Sequence, residues 1–200
     1  MAILLMRHGP TALNGEQRVR GLLNIGLSAE GKAIAKDLAT KAADYPLVDL
    51  KSSDMRRATQ TADVVSKQTG VPVTTHQELR PWDLGSLAGQ PLDTAMPVIQ
   101  SLLKHPDTAA PGGGESFTDF STRLLEFLRA DLADDQLHGV MAHGSGATTL
   151  ETAIAHGLSN SAPPVTKGEA SIKPGGMARV TADTFEPLYR ESSGGHGIAS

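Results

Sequence analysis

The stretch LLMRHGPTALN, Leu4 to Asn14, decides how the rest of the chain is read. An apolar run, Ile3 to Met6, breaks off at Arg7, His8 and Gly9, and a hydroxyl at Thr11 and an amide at Asn14 follow. An apolar run of this length predicts a buried strand. The polar residues then lie at its carboxyl end, where open α/β sheets place their ligands. An arginine beside a histidine, followed by a glycine that lets backbone approach closely, suits an anionic group. Taken alone, the pair reads equally well as an accidental basic dipeptide at a strand end.

Working outward, the same pattern returns. His143 follows a second apolar run, Gly139 to Ala142, and is again followed by glycine, in AHGSG. Arg57 lies in SSDMRRATQTA, just inside a predicted helix behind a third apolar run. Two strand-end histidines and two arginines from separate segments can converge on one phosphate-sized anion. The chain thereby resembles the histidine phosphatase superfamily, in its phosphoglycerate-mutase-like branch. RHGPT resembles the RHG motif of that family, SSDMRRATQTA its second motif and MAHGSG its second histidine motif. LNGEQRVRGLLNIGLSAEGKAIA is similar to the segment that follows the first motif, and order and spacing agree over about three quarters of the chain.

Composition sets limits around this. The 200 residues, 39% hydrophobic, suffice for one domain with a sizeable core. We place that domain at 1–192 and a flexible tail at 193–200. A net charge of −4 and a pI near 5.9 argue against general nucleic-acid binding. No apolar run is long enough to span a bilayer, and no basic region with a cleavage site precedes the first strand, so the expected location is cytoplasmic. The absence of cysteine excludes disulfides, thiolate zinc sites and a cysteine nucleophile.

Along the chain, Leu27 to Ala43 predicts a helix capped by Ser28, with Ile34, Leu38 and Ala42 facing the sheet and Pro46 beyond its end. Leu47 to Ser53 predicts the second strand. Asp54 is expected to cap a helix that runs to about Gly70 and carries Arg57 in its first turn. Val71 to Leu79 predicts the third strand, and the Gly- and Pro-containing loop RPWDLGSLAGQP follows it. A short helix is expected over Asp93 to Lys104, then the loop HPDTAAPGGGES. Ser116 caps the next predicted helix, whose stripe Phe117, Phe120, Leu124, Phe127 and Leu128 belongs to the core. GVMAHG forms the fourth strand and Thr148 to His156 a helix. After turn residues Ser159 to Pro164, GEASIKPGGMARVT predicts a hairpin around Pro174, Gly175 and Gly176. Alternating strands and helices predict an α/β sheet covered on both faces. The resemblance implies a three-layer αβα sandwich with a mostly parallel central sheet and a C-terminal hairpin adding edge strands.

The resemblance also implies a reaction. His8 becomes the nucleophile and forms a phosphohistidine, and His143 donates to a phosphoryl oxygen. A neutral imidazole is available near pH 7, and a hydrogen bond from its other ring nitrogen would fix the attacking tautomer. Arg7 and Arg57 can hold phosphoryl oxygens bidentately, which lysine cannot. Asn14 and the helix N-terminus at Gly144 are further donors. Arg18 and Arg20 fall where the family often binds substrate, though a solvated position explains either. Glu115 and Ser116 match a family GES segment, and a helix N-terminus explains them equally well. His76, His105, His138, His156 and His196 have no motif context and read as surface or packing residues.

One segment departs from the family. In LRPWDLGSLAG, the position of the usual proton-donating glutamate is Pro81, and that of a second glutamate is Ala88. Asp83, in the same loop, is the substitute acid, or else a turn residue bonded to backbone. The expected activity is that of a histidine acid-base phosphatase, a phosphomonoesterase acting on a small phosphorylated molecule. The alternatives are a phosphate-ester binding module with decayed catalysis, and a phosphoglycerate mutase. The mutase reading is weakened because Gln90, Pro91 and Leu92 follow Gly89, where the resemblance leads one to expect a lysine. No cofactor and no metal are expected, since the arginines disfavour a cation at the same place. Nucleic acid and membrane are not expected partners, and the sequence leaves the oligomeric state open, a homodimer included.

Overall fold

The computed structural model describes residues 2–157 and 172–188. Strand β1 (Ala2–Arg7) leads through the short helix α1 (Ala12–Gly15) to helix α2 (Ala29–Ala42). Strand β2 (Leu47–Ser53), helix α3 (Arg56–Thr69) and strand β3 (Val73–His76) follow. Two single-turn 3₁₀ segments, Gln77–Leu79 and Gly85–Leu87, lead to helix α4 (Leu92–Lys104). Helix α5 (Phe117–Ala133), strand β4 (Leu137–Ala142), helix α6 (Gly144–Ala155) and strands β5 (Met177–Val180) and β6 (Phe185–Pro187) complete it. The sheet runs β3-β2-β4-β1-β5-β6. Its first four strands are parallel, and β5 and β6 join antiparallel to β1 and to one another. A mixed sheet between two helical layers agrees with the expected sandwich.

Alternation along β1 explains the layers. Ile3 and Leu5 pack on one face with Val140, Phe120, Leu124 and Leu150, under α5 and α6. Leu4 and Met6 pack on the other with Leu38, Leu50, Ala58 and Met141, under α2 and α3. Both faces of the strand are covered, which is why it reads as an unbroken apolar run.

Local signals account for most boundaries. Ser28 accepts a hydrogen bond from the Gly31 N–H and Ser116 accepts one from the Asp119 N–H, so both caps form as predicted. Four expectations are corrected. Asp54 does not cap α3: Met55 occupies that position, Asn24 Oδ1 accepts from the Arg56 N–H, and Asp54 accepts from Arg80 Nε at 2.7 Å. The third strand stops at His76 because Gln77–Leu79 coils into a 3₁₀ turn. Helix α6 begins at Gly144, directly behind His143, rather than at Thr148. The hairpin turns between Thr181 and Thr184, not at Pro174 to Gly176, and β5 already has β1 on one side and β6 on the other. The predicted turn at 159–164 and the tail at 193–200 lie outside the described residues. Among the described residues no helix is long and apolar enough to cross a membrane.

Candidate active site

The site is built at the carboxyl edge of two neighbouring strands. Arg7 and Ala142 are register partners of β1 and β4, so His8 and His143 are the next residues on each strand. Their rings meet edge to face with centroids 5.0 Å apart, and both are buried, at 2% and 3% exposure. His8 Nδ1 lies 2.7 Å from the carbonyl oxygen of Gly9. A carbonyl only accepts, so Nδ1 carries the proton and Nε2 carries the lone pair. Both nitrogens of His143 are buried without a hydrogen-bond partner. Such orphaned groups are costly unless a ligand satisfies them.

Arg57 stands in the first turn of α3, only 1% exposed. It donates from Nη1 to the Leu23 carbonyl at 2.8 Å and from Nη2 to the Gly21 carbonyl at 3.0 Å, and its buried Nε has no partner. Two further bonds stitch the same loop in place, Asn24 to the Arg56 N–H and the Leu27 N–H to Gln60 Oε1, and the Gly9 N–H to Thr61 Oγ1 ties the end of β1 to α3. Arg7 donates to the Ile172 carbonyl at 2.9 Å, and its guanidinium lies flat against Gly144. A Cβ added at Gly144 would sit 2.8 Å from Arg7 Nη2, so the first helical position of α6 has no room for a side chain.

These groups line a cavity of about 660 Å³. Burial, followed by the charge of Arg57, holds the His8 imidazole well below its usual pKa of 6.5, although the Gly9 carbonyl pulls the other way. His143 is held well below 6.5 by burial first and then by His8, Arg57, Arg20 and Arg7. Burial and the nearby Arg20 bring Arg57 down to about 10, still cationic at neutral pH. The arrangement is therefore a pair of neutral imidazoles amid fixed positive charge, suited to a doubly charged anion.

Arg7, His8, Asn14, Arg57, His143 and Gly144 all line this cavity. Asn14 Oδ1 accepts from both the N–H and the hydroxyl of Thr11, which leaves its amide NH₂ as the free donor. Arg20 also lines the cavity, and its charge is felt by both histidines. Arg18 stands at the rim, with its guanidinium on the Gly89 carbonyl at 2.8 Å and on Glu16 at 3.4 Å.

Asp83, Glu115 and Ser116 are not brought to this cavity. Asp83 Oδ1 accepts from the Gly85 N–H at 2.9 Å, the turn role weighed against the acid role, and the residue lines a neighbouring cavity of about 450 Å³. Glu115 lines that cavity too, paired with Arg123 at 2.6 Å. Ser116 is buried as the cap of α5. Pro81, at the usual acid's position, lines both cavities. Trp82 and Ser145 line the main cavity too, as do Thr148, Lys173 and a group of aliphatic residues that the sequence did not mark for it. Thr148 was readable as one turn beyond Gly144 on the same helix. Lys173 carries no local signal.

The histidine phosphatase superfamily (branch 1) model matches residues 3–169. The probable phosphoglycerate mutase GpmB of Cronobacter sakazakii is 28% identical over 160 residues, covering 77% of this chain and 74% of its own. The crystal structure of TTHB049 from Thermus thermophilus superposes with a TM-score of 0.73 at 27% identity, covering 95% of this chain and 98% of that one. The mycobacterial glucosyl-3-phosphoglycerate phosphatase Rv2419c, in complex with VO3, gives 0.74 at 26% identity, covering 89% and 91%. A match running through both histidine motifs and the buried arginine between them shows that this chain belongs to the histidine phosphatase superfamily, whose members are phosphatases or mutases.

Proposed function

We propose that the chain is a phosphomonoesterase that works through a phosphohistidine on His8. The observation that carries this reading is the His8 imidazole, neutral and fixed in its Nδ1–H tautomer, lining one cavity with the guanidinium groups of Arg7 and Arg57. In the first step Nε2 attacks phosphorus, the P–N bond forms and the ester P–O bond breaks, its electron pair leaving on the alcohol oxygen, which takes a proton from solvent. Arg7 and Arg57 take the equatorial oxygens, and His143 holds one of them from α6. Nδ1–H stays on the Gly9 carbonyl, which supports the positive charge that develops on the ring. In the second step water attacks the phosphohistidine, inorganic phosphate leaves and Nε2 regains its lone pair.

His8→Ala should remove all turnover and all covalent capture of phosphate. Acid-labile phosphate found on the quenched variant would reject His8 as the nucleophile. The mutase reading has the names of the bacterial relatives in its favour. A mutase must keep the phosphoryl group and return it to a second hydroxyl, so free inorganic phosphate as the sole phosphorus product separates the two. The binding-module reading has Pro81 and the Asp83 turn in its favour. An aryl phosphate tests it, because a phenolate leaves with little help from an acid. No release at micromolar enzyme, with vanadate binding retained, would favour the module.

A further inference from the structure

The main cavity is lined by two unlike sets of residues. One is Arg7, His8, Arg57 and His143, with Arg20 close enough to depress both imidazoles. The other is an apolar wall of Leu13, Val19, Leu84, Leu92 and Ile99, joined by the buried Trp82. Leu92 and Ile99 are seven residues apart on α4, two turns along one face. Leu92 keeps 40% of its surface exposed, which makes it one of three large hydrophobic residues exposed to that degree among the described residues. The wall is also fixed in place. The Val19 N–H donates to the Gln90 carbonyl, the Gly89 N–H to the Val19 carbonyl and the Leu92 N–H to the Gln17 carbonyl, at 2.8 to 3.0 Å. These bonds tie the loop carrying Val19 to the start of α4. Of the other cations lining the cavity, Arg18 is engaged by Glu16 and Gly89, and Lys173 is solvent-exposed.

The same cavity offers a leaving group little protonation. Pro81 replaces the expected acid, Asp83 is held in its turn, and every described residue lining the cavity is neutral or basic. On the phosphatase reading above, we propose that the substrate is a phosphomonoester of an apolar, phenol-like alcohol, with its ring against the wall of Leu13, Val19, Leu84, Leu92 and Ile99. His8 Nε2 forms the P–N bond and the aryl P–O bond breaks. The electron pair leaves on the phenolate, which takes its proton from solvent outside the cavity.

Three phosphates separate the parts of this proposal. Phenyl and benzyl phosphate have similar size and apolarity but differ in leaving-group basicity. Benzyl and glycerol phosphate share an alkyl oxygen but differ in polarity. We expect kcat/KM for phenyl to exceed that for benzyl phosphate by about 10²-fold or more, the scale of a missing general acid. Benzyl should exceed glycerol phosphate by roughly tenfold or more, and Leu92→Asn and Leu13→Asn should each reduce that second ratio several-fold. Equal rates for phenyl and benzyl phosphate, a glycerol phosphate rate at or above benzyl, or a ratio untouched by both variants would overturn the proposal. In each of those cases a phosphohistidine trapped on His8 leaves the phosphatase reading standing. Failure to trap one with any of the three removes the reading and the proposal together.

Discussion

Two cavities share Pro81 in their lining, and the most buried arginine of one is held in the opposite way from those of the other. In the smaller one, Arg123 is paired with Glu115 and also donates to the Gln77, Glu78 and Arg80 carbonyls, while Arg80 is paired with Asp54. The charges of these two arginines are already neutralised. In the larger one, Arg57 is more deeply buried and donates only to the carbonyl oxygens of Gly21 and Leu23. Carbonyl dipoles orient a guanidinium without cancelling its charge. A buried cation is costly unless paired, and the partner that would suit it is the phosphoryl anion of the proposed reaction. Among the described residues Arg123 has a carboxylate partner and Arg57 has none.

The widest break in that contrast should come from Arg57→Lys. It keeps a positive charge but loses the planar fork that reaches both carbonyls and a phosphoryl oxygen. We expect kcat/KM for phenyl phosphate to fall by about 10²–10³-fold, the scale of removing one preorganised donor, with the far-UV circular dichroism unchanged. A loss under fivefold would show that Arg57 holds the loop and not the substrate.

Acid should expose the same site thermodynamically. His8 and His143 have pKa values well below 6.5 when folded and near 6.5 when unfolded. Between those values the unfolded chain binds more protons, so stability is fully present above pH 6.5 and is lost as pH falls. Each histidine can lower Tm by at most roughly 3–5 °C per pH unit in that window. A calorimetric pH series on His8→Asn and His143→Asn should show a shallower slope. An unchanged slope would place the acid sensitivity elsewhere.

In the smaller cavity, Arg123→Ala should act on stability. It removes a paired charge and its bonds to three carbonyls, worth about 2 kcal/mol, so Tm should drop by roughly 4–8 °C. Turnover measured well below the new Tm should stay within about threefold. The smallest effect should be that of Asp83→Asn. The amide oxygen can still accept from the Gly85 N–H, so phenyl and benzyl phosphate should both change by less than about threefold. A selective loss of about 10²-fold on benzyl phosphate would restore Asp83 as the acid.

How far the sequence could be read follows from the range of each interaction. The apolar runs of β1 and β4, the caps Ser28 and Ser116, and the strand-end histidines depend on neighbours within a few residues, and they were legible. Asp54 was misread because its partner Arg80 is 26 residues away and outcompetes the local cap. The hairpin was misplaced because Pro174, Gly175 and Gly176 make a strong turn signal, yet that turn serves to bring Gly175 and Gly176 against the end of β1. Arg18 and Arg20 look alike in sequence, and only packing turns one to the rim and the other toward the histidines. Asp83 carried both readings in its composition, and the Gly85 N–H two residues on is the partner it has in the fold.

The sheet order has a consequence for how the molecule is made. Of the six strands of this sheet β1 is synthesised first, and its two neighbours, β4 and β5, are fourth and fifth. A ribosome must add more than a hundred residues before Ala2 to Arg7 meets Leu137 to Ala142. Until then an almost wholly apolar segment waits without a partner, the kind of species that aggregates or recruits a chaperone. The two histidines are in contact only once that late pairing closes. Capacity to bind vanadate should therefore appear on refolding with the slowest major phase, after the helices have formed.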